Sequence, residues 1–309
     1  MIKIINRPIE LGANIGMKIK RAIIFSTSYH GRAIYRKIKD DPNYQVLKFI
    51  DNAKSKQGTF FDNIEVLNPN FISSLEFDEV ILHGRDVSDQ LKQLKILGVP
   101  DSVIRVMKKS ELLRTGKETE KKNTIIKNIL KPLLNILVRE KINYWFDYSS
   151  LLSLYRGNGL SEHSDIDICL TSKKEFNTLF LALKNSDIYE NNQVFTRSMD
   201  EEFSFAKLGE PRQLVIESKG LDWEEKVIFD FSLKFLERGE YKQTVGDSIH
   251  YSPEEHFLGY DEFEYEEFLL RVPKDVENYL TLLYGTNWIQ PQENWSRTSY
   301  GNIEPKSLN

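Results

Sequence analysis

Strand and helix signals alternate through the first third of the chain, and no other feature of the sequence restricts the fold as strongly. Short apolar runs typical of buried strands are separated by segments with helical periodicity. The strand segments are 20–28, 44–51, 77–84 and 102–106, and the helical segments are 29–40 and 86–98. Because consecutive parallel strands need a crossover connection, this order predicts a mostly parallel sheet covered by helices. We expect an α/β domain at residues 18–107, with residues 1–17 as an N-terminal extension outside it.

The turn between the first strand and the first helix is where a dinucleotide-binding domain carries its glycines. Residues Ser26–Gly31 read Ser-Thr-Ser-Tyr-His-Gly, so Gly31 alone remains of the three glycines of that motif. Asp51 ends the second strand, at the position of an acid that binds a ribose. We expect a Rossmann-like scaffold without a tightly bound cofactor, and nucleotide binding stays open because serines also contact phosphates. The segment 18–107 resembles the small nucleotide-binding-like domain found ahead of many bacterial glycan-modifying enzymes.

Composition limits the class of protein and the compartment. With 40% hydrophobic residues and 12% aromatics, the chain has enough apolar side chains for a packed core. The formal net charge is -4 and basic residues are spread along the chain, which argues against a nucleic-acid-binding protein. A single cysteine excludes an internal disulfide and a cysteine-based zinc site, as is typical of the reducing cytoplasm. No apolar run approaches the roughly 18 residues of a membrane span and a signal-peptide core is missing, so we expect a soluble cytoplasmic protein. Contact with the inner face of the membrane stays open.

The composition changes at residues 108–122, which are polar and charged and which we interpret as a linker or a solvated helix between two domains. The second domain, residues 123–309, opens with an apolar helical pattern in which Pro132 marks a bend or a restart. Its further elements are an acid-bearing strand at 164–170, a helix at 173–185, strands at 193–197, 202–208, 212–218 and 226–235, and a helix at 274–285. Strands and helices in separate runs predict an α+β domain.

Two acids stand on one strand of this second domain. Asp165 and Asp167 alternate with Ile166 and Ile168, so the strand period of two points both carboxylates to one side. Neighbouring anions repel unless a cation lies between them, and oxygen ligands favour Mg²⁺ or Mn²⁺. Asp230 is a lone acid in an apolar strand and becomes the third ligand if its strand lies beside the first. The alternatives are solvated acids on an edge strand for the pair, and a buried acid paired with Lys or Arg for Asp230.

Four residues near the acids complete the candidate site. Ser149 and Ser150 precede a helix, where they either offer donors to a phosphate or serve as an ordinary N-cap. Arg156 either reaches a phosphate or stabilises the C-terminal end of that helix. His163 lies in the approach to the acid pair and is either a proton acceptor or a solvent-facing loop residue.

The segment 144–170, YWFDYSSLLSLYRGNGLSEHSDIDICL, resembles the LicD and fukutin family, whose domain has a nucleotidyltransferase fold. The residues that match the family's first motif are Tyr148, Leu151, Leu152, Arg156, His163, Asp165 and Asp167. The family's ending is matched by Pro273, Tyr279, Leu280, Tyr284, Gly285, Trp288 and Pro291. Ser149 and Ser150 stand where the family has Gly-Thr, so the phosphate-contacting details differ. The resemblance covers about residues 123–295 and implies a nucleotidyltransferase-fold domain.

The resemblance implies transfer of a phosphorylated alcohol (phosphocholine, ribitol phosphate or glycerol phosphate) from a CDP-activated donor to a hydroxyl of a cell-surface glycan, such as a capsule or lipopolysaccharide, with release of CMP. The partners are then the CDP-linked donor and a glycan or lipid-linked glycan acceptor. A metal at Asp165, Asp167 and Asp230 neutralises the diphosphate. Tyr284 and Trp288 either stack on a base or sugar or pack the C-terminal segment. Two other functions stay open: transfer of NMP from an NTP to a small molecule, and glycan or nucleotide binding without catalysis.

Overall fold

The computed structural model describes residues 19–84, 87–112, 116–163, 165–219, 226–246, 248–292, 295 and 299–305. The chain forms two compact units, residues 1–112 and 113–309. This boundary lies within the segment 108–122 that the sequence assigns to a linker. The expected extension at residues 1–17 lies outside the described residues.

In its described part, the first unit is built on one six-stranded sheet. The strands are β1 (Lys20–Phe25), β2 (Tyr44–Ile50), β3 (Phe60–Phe61), β4 (Ile64–Leu67), β5 (Glu79–Leu82) and β6 (Ile104–Val106). The helices are α1 (Tyr29–Ile38), α2 (Ser88–Ile96) and short 3-10 turns at Pro69–Ser74, Asp101–Val103 and Lys109–Leu112. The strand order is β3-β4-β2-β1-β5-β6, and all neighbours are parallel except β3 and β4. The mostly parallel sheet expected here is therefore present, with β3 and β4 as additional strands.

The central strand β1 contributes side chains to both faces of this sheet. Ala22 and Ile24 join a core cluster that contains Ile34 of α1. Ile23 joins the cluster on the opposite face, which contains Leu94 of α2. A strand of a parallel sheet is buried on both faces, which explains why its sequence is a continuous apolar run rather than an alternating one.

Within the described residues, the second unit combines three sheets with five α-helices. The first sheet contains β7 (Trp145–Phe146), β8 (Asp165–Leu170), β9 (Asn192–Ser198), β10 (Pro211–Ser218) and β11 (Ile228–Leu233). Its order is β7-β8-β11-β10-β9; β8 and β11 are parallel and the other neighbours are antiparallel. The helices are α3 (Gly116–Arg139), α4 (Tyr148–Tyr155), α5 (Lys173–Lys184), α6 (Asp187–Asn191) and α7 (Val276–Tyr284).

The remaining strands of the second unit form two antiparallel sheets. They are β12 (Phe235–Glu237), β13 (Glu240–Val245), β14 (Ser248–Pro253), β15 (Asp261–Tyr265), β16 (Phe268–Val272) and β17 (Ile303–Pro305). The four-stranded sheet has the order β12-β13-β14-β17, and β15 and β16 form a hairpin. A 3-10 turn at Glu254–Phe257 lies between β14 and β15.

One face of the five-stranded sheet lies in the core of the second unit. Ile166 and Ile168 of β8 and Phe229 and Phe231 of β11 are fully buried there, in the same cluster as Phe176 of α5. The alternation along β8 and β11 therefore leaves the opposite face for polar side chains.

Helix α3 is continuous from Gly116 to Arg139 with Pro132 inside it, which excludes a restart at Pro132, and residues 116–122 belong to this helix, in agreement with the helical alternative for the segment 108–122. One expectation for this unit needs correction. The strand expected at 202–208 is wrong, because the described backbone is irregular there.

The described chain is a mixed α/β protein with several sheets. Among the helices of the described ranges, none is long and apolar enough to cross a membrane.

Candidate active site

The acid pair and the third acid lie on neighbouring strands. β8 and β11 run parallel, with Asp167 opposite Asp230 and Asp165 opposite Ile228. Paired positions on adjacent strands point to the same side of a sheet, so the three carboxylates share one face. Because such strands are about 4.8 Å apart, Asp167 and Asp230 are close neighbours. Strand β8 lies inside the sheet, between β7 and β11, rather than at its edge.

Asp167 is held by the first turn of α4. Its Oδ2 atom accepts hydrogen bonds from the backbone N of Ser149 at 3.1 Å and from the Ser149 hydroxyl at 2.5 Å. The backbone N of Asp167 donates to the Ser150 hydroxyl at 2.7 Å. Burial, followed by the negative charges of Asp165 and Asp230, raises the pKa of Asp167 well above its usual value, against the lowering effect of the Ser149 hydrogen bond. The two serines predicted to bind phosphate thus fix an acid of the site.

Asp230 is the second acid with a raised pKa. Its Oδ2 atom accepts a hydrogen bond from the Gln213 side chain, and its buried Oδ1 atom has no hydrogen-bond partner among the described residues. Burial and the charge of Asp165 raise the pKa to about 6, while the Gln213 hydrogen bond and the charges of Arg197 and Arg212 oppose the rise. The hydrogen-bond partner of this acid is therefore an amide, not the Lys or Arg of the alternative interpretation.

The first turn of α4 has an unusual backbone. Asp147 caps the helix by accepting a hydrogen bond from the backbone N of Tyr148 at 2.8 Å, so the N-cap interpretation of Ser149 and Ser150 is wrong. Tyr148 has a φ of +42°, a left-handed conformation that an aromatic residue rarely adopts. Its hydroxyl lies 3.1 Å from Nδ1 of His250, which fixes the ring. The turn that presents the serines to Asp167 is therefore determined by its surroundings rather than by local preference.

A buried ion pair between Lys234 and Asp147, two residues that are not among the candidates predicted from the sequence, supports this turn. The Lys234 ammonium lies 2.8 Å from Oδ2 of Asp147, with both side chains essentially inaccessible to solvent. The Tyr279 hydroxyl donates to Asp147 Oδ1 at 2.8 Å and accepts from Lys234 at 3.0 Å. The backbone N of Asp147 donates to the carbonyl of Asp167 at 3.0 Å, which joins the pair to β8. Asp147, like Asp230, is an acid inside an apolar run, so the same sequence pattern indicates both residues.

Two further candidates make contacts with other parts of the second unit. The guanidinium of Arg156 donates to the carbonyl of Trp288 at 2.8 Å and to that of Gln290 at 3.0 Å, and burial lowers its pKa. The His163 carbonyl accepts a hydrogen bond from the buried ammonium of Lys122, and the His163 ring nitrogen lies 3.9 Å from the Glu162 carboxylate. The phosphate contact of Arg156 and the proton transfer by His163 stay predictions.

The two aromatic candidates of the C-terminal segment are buried. The Tyr284 ring lies 5.1 Å from the ring of Trp295 and 5.2 Å from that of Tyr300. Trp288 is 7% exposed and lies 6.5 Å from the Tyr155 ring. These contacts belong to the packing of the C-terminal segment, and stacking on a base or a sugar stays a prediction.

The face of the five-stranded sheet that carries Asp165, Asp167 and Asp230, called the open face below, offers carboxylate oxygen atoms that suit a hard divalent cation. In the described ranges, no three His, Cys, Asp or Glu side chains converge closely enough to hold an ion by themselves. Mg²⁺ is usually bound by one or two carboxylates, with water and substrate phosphates as its other ligands. Burial raises the pKa values of Asp167 and Asp230, and the charges of neighbouring acids add to this rise, so together with the unpartnered Oδ1 of Asp230 they favour a cation on this face. The residues present therefore fit a cation shared with a phosphate-bearing substrate.

The turn between β1 and α1 of the first unit uses its polar residues internally. Asp51 Oδ2 accepts hydrogen bonds from the backbone N and the hydroxyl of Thr27, both at 2.8 Å, and from Lys56 at 3.2 Å. Ser26 adopts a φ of +84°, the conformation for which the motif has a glycine. The position predicted for a ribose-binding acid thus stabilises the turn itself.

Comparisons with known proteins give limited likenesses. A family model described as "C2185-like, N-terminal" matches residues 18–105. Among curated proteins, none matches the chain. UDP-D-quinovosamine 4-dehydrogenase from Vibrio fischeri is 19% identical over 28% of this chain and 75% of its own, with a TM-score of 0.25. The lincomycin-bound lincosamide antibiotic adenylyltransferase LnuA is 15% identical over 52% of this chain and 82% of its own, with a TM-score of 0.31. RSP, a Rex-family repressor, is 17% identical over 36% of this chain and 63% of its own, with a TM-score of 0.26. Similarity this low leaves the function to be judged from the site.

Proposed function

We propose that this chain is a metal-dependent phosphotransferase that moves a phosphorylated alcohol from a CDP-activated donor to a hydroxyl of a cell-surface glycan, releasing CMP. In this proposal the second unit has a nucleotidyltransferase fold, the first unit is a Rossmann-like domain, and the enzyme works at the cytoplasmic side of the membrane. The observation that carries the proposal is the common face of Asp165, Asp167 and Asp230 on β8 and β11. Three acids on one face, one with an unpartnered oxygen, are unfavourable unless a cation and its substrate use them.

In such a transfer, some residues of the second unit bind the cation and others position its ligands. Asp165, Asp167 and Asp230 would supply carboxylate ligands to Mg²⁺ or Mn²⁺, with the donor phosphates and water as the other ligands, and the ion would supply positive charge to the donor diphosphate. Ser149 keeps the Asp167 carboxylate in position through its backbone N and its hydroxyl. Positioning and charge neutralisation supply most of the rate enhancement of phosphoryl transfer, so rigid placement of these acids matters more than any covalent role.

The acceptor hydroxyl must lose a proton as it forms the new bond. Its oxygen bonds to the phosphorus that carries the alcohol, and the bond from that phosphorus to the CMP oxygen breaks. A carboxylate of the open face that is not coordinated to the cation takes this proton. His163 is the other candidate on the chain for this step.

The test is a donor screen with the full chain and Mg²⁺, in which CDP-choline, CDP-ribitol and CDP-glycerol are offered with a glycan acceptor and CMP release is measured. We expect Asp165→Asn and Asp167→Asn to lower the rate by at least about a hundredfold, because each removes a charge that neutralises the cation. Asp200→Asn, a change at an exposed acid of the same unit, is the matched control and should leave the rate unchanged. Release of pyrophosphate from an NTP, without CMP from any CDP-alcohol, would identify an NMP transferase instead.

A further inference from the structure

Asp230 is joined to the edge of its sheet by two successive hydrogen bonds. Nε2 of Gln213 donates to Oδ2 of Asp230, and Oε1 of Gln213 accepts a hydrogen bond from the Arg197 guanidinium at 2.9 Å. Gln213 of β10 lies opposite Arg197 of β9, and it lies two residues from Val215, which is opposite Asp230 of β11. Such diagonal neighbours are within reach of a long side chain. The three side chains therefore form a hydrogen-bond chain across β9, β10 and β11 on the open face.

Arg197 decides which end of the Gln213 amide faces the acid. A guanidinium only donates hydrogen bonds, and an ionised carboxylate only accepts them. The amide satisfies both neighbours in one orientation, with its oxygen toward Arg197 and its nitrogen toward Asp230. The reverse orientation would place two donors together at Arg197 and two acceptors together at Asp230. The hydrogen bond from Arg197 therefore maintains the donor that Asp230 receives.

The hydrogen bond from Gln213 engages one oxygen of Asp230 and fixes the direction of the other. Strand β11 lies between β10 and β8, and Asp167 of β8 is opposite Asp230. Because Oδ2 is bonded to Gln213, rotation about the terminal bond of the carboxylate is restricted and Oδ1 is directed away from the amide. An amide is neutral, whereas a lysine or arginine in its place would compete with a cation for the carboxylate. Gln213 thus orients Asp230 without cancelling its charge.

We infer that Gln213 and Arg197 are positioning residues, which together hold the Asp230 carboxylate in the orientation in which it serves as a ligand of a divalent cation. The inference rests on the proposed function for the presence of that cation, and it does not depend on which alcohol is transferred. Arg197 acts through Gln213, because its hydrogen bond joins it to the amide.

The charge of Arg197 and its hydrogen bond predict opposite effects on cation binding. A positive charge near three acids repels a cation, so its removal alone would strengthen binding. This effect is small, because Arg197 is exposed on the edge strand of the sheet, where solvent and salt screen its charge. Loss of the hydrogen bond would instead release the Gln213 amide and weaken binding. The direction of the change in an Arg197 variant therefore separates positioning from simple charge.

Titration of the full chain with Mn²⁺ alone, with free Mn²⁺ measured by electron paramagnetic resonance, tests the inference. We expect Gln213→Leu to weaken Mn²⁺ binding by about tenfold, as is typical when a residue that orients a metal ligand is lost. Arg197→Met should weaken it by about threefold. Arg197→Lys, which keeps a donor for the amide, should bind nearly as the unmodified chain does. Gln193→Leu, at an exposed glutamine of β9, is the matched control and should leave Mn²⁺ binding unchanged.

A double variant shows whether the two residues act as one unit. In the Gln213→Leu chain, Arg197→Met should cause no further loss of Mn²⁺ affinity, because the arginine then has no amide to orient. Thermal unfolding shows whether Gln213→Leu folds, and if it does not, the variants of the exposed Arg197 decide. Unchanged binding in Gln213→Leu, or unchanged or tighter binding in Arg197→Met, would overturn the inference.

The same titration separates the inference from the proposed function. Normal Mn²⁺ binding by both single variants overturns the inference and leaves the proposed function standing. If the unmodified chain binds no Mn²⁺, the inference and the metal dependence of the proposed function both fail. If the variants weaken Mn²⁺ binding as expected but no CDP-alcohol releases CMP in the donor screen, the proposed transfer fails and the positioning of Asp230 stands.

Discussion

At the residue scale, the ion pair of Lys234 with Asp147 supports the candidate site from within the core. Both side chains are at most 1% exposed, and the pair shares the Tyr279 hydroxyl. We predict that Lys234→Met lowers the free energy of unfolding by about 3–5 kcal/mol, because it leaves a buried carboxylate without its cation. Urea unfolding of the second unit measures the loss.

The double variant Lys234→Met with Asp147→Asn removes both charges and should recover part of this stability. Arg139→Met is the control, since the Arg139 side chain of the same unit is 64% exposed and its ion pair with Glu140 contributes little. An equal effect of Lys234→Met and Arg139→Met would show that the buried pair does not stabilise the fold.

Asp51 gives the first unit a defined dependence on pH. Burial raises its pKa, but hydrogen bonds from Thr27, Ala53 and Lys56 together outweigh burial, so the net pKa is below the usual value. An acid with a lowered pKa stabilises the fold above its unfolded pKa, about 4, and loses that contribution as the pH falls through the folded value. We predict that Asp51→Asn costs about 1–2 kcal/mol at neutral pH.

The cost of Asp51→Asn should shrink as the pH is lowered below about 4, because the unmodified chain then loses the same carboxylate charge. Urea unfolding of both proteins across this range measures the difference. Asp89→Asn, with a side chain 94% exposed, should show neither effect. A cost that is constant with pH would mean that the charge of Asp51 is not what stabilises the turn.

Sequence patterns identify some residues of the site and miss others for a physical reason. Asp165, Asp167 and Asp230 are visible because alternation and an isolated charge in an apolar strand are local patterns. Lys234 is not visible, because its role arises from contacts with residues that are distant in sequence. From the sequence alone, a lysine at the end of an apolar strand is expected to be exposed to solvent. Its burial is apparent only in the folded structure.

At the scale of elements, Gly31 sets the distance between α1 and the end of β1. A Cβ atom at this position would lie 1.8 Å from the backbone oxygen of Ser26. We predict that Gly31→Ala destabilises the first unit by about 3 kcal/mol, because backbone must move to relieve the overlap. Hydrogen exchange of peptides that cover β1 and β2 should become faster.

Gly116→Ala is the control for this substitution. Apart from its chain neighbours and the backbone of α3, a Cβ built on Gly116, which begins α3, meets no atom of the described residues within 4 Å, and alanine favours a helix. It should be neutral or slightly stabilising. Unchanged exchange in Gly31→Ala would mean that the turn adapts without cost.

The elements that the sequence predicts correctly are those whose pattern agrees with their environment. The strands of the parallel sheet are apolar throughout and buried on both faces, so their runs are unambiguous. The segment 202–208 alternates as a strand does, yet the backbone N of Phe203 donates to the carbonyl of Ala206 at 2.8 Å and closes a turn. The rings of Phe203 and Phe205 stack on each other at 5.2 Å. Ring stacking within one short segment is an alternative to strand pairing that periodicity alone does not reveal.

At the scale of the whole molecule, each unit has its own hydrophobic core. The two clusters of the first unit lie on opposite faces of its sheet, and every buried member lies between Ala22 and Leu112. The cluster of the second unit contains buried residues from Ile126 to Trp288. The composition change at 108–122 anticipated a division here, but burial of Lys122, whose ammonium donates to the His163 carbonyl, depends on the folded second unit. A charged segment therefore marks the boundary only approximately.

A unit with a complete core should fold without the rest of the chain. The fragment Leu113–Asn309 contains the whole of its cluster and the three acids. We predict that it unfolds cooperatively, with a sharp transition in both circular dichroism and tryptophan fluorescence. The fragment with Lys234→Met serves as the destabilised reference. Non-coincident transitions in the two signals would mean that the fragment does not fold as one cooperative unit.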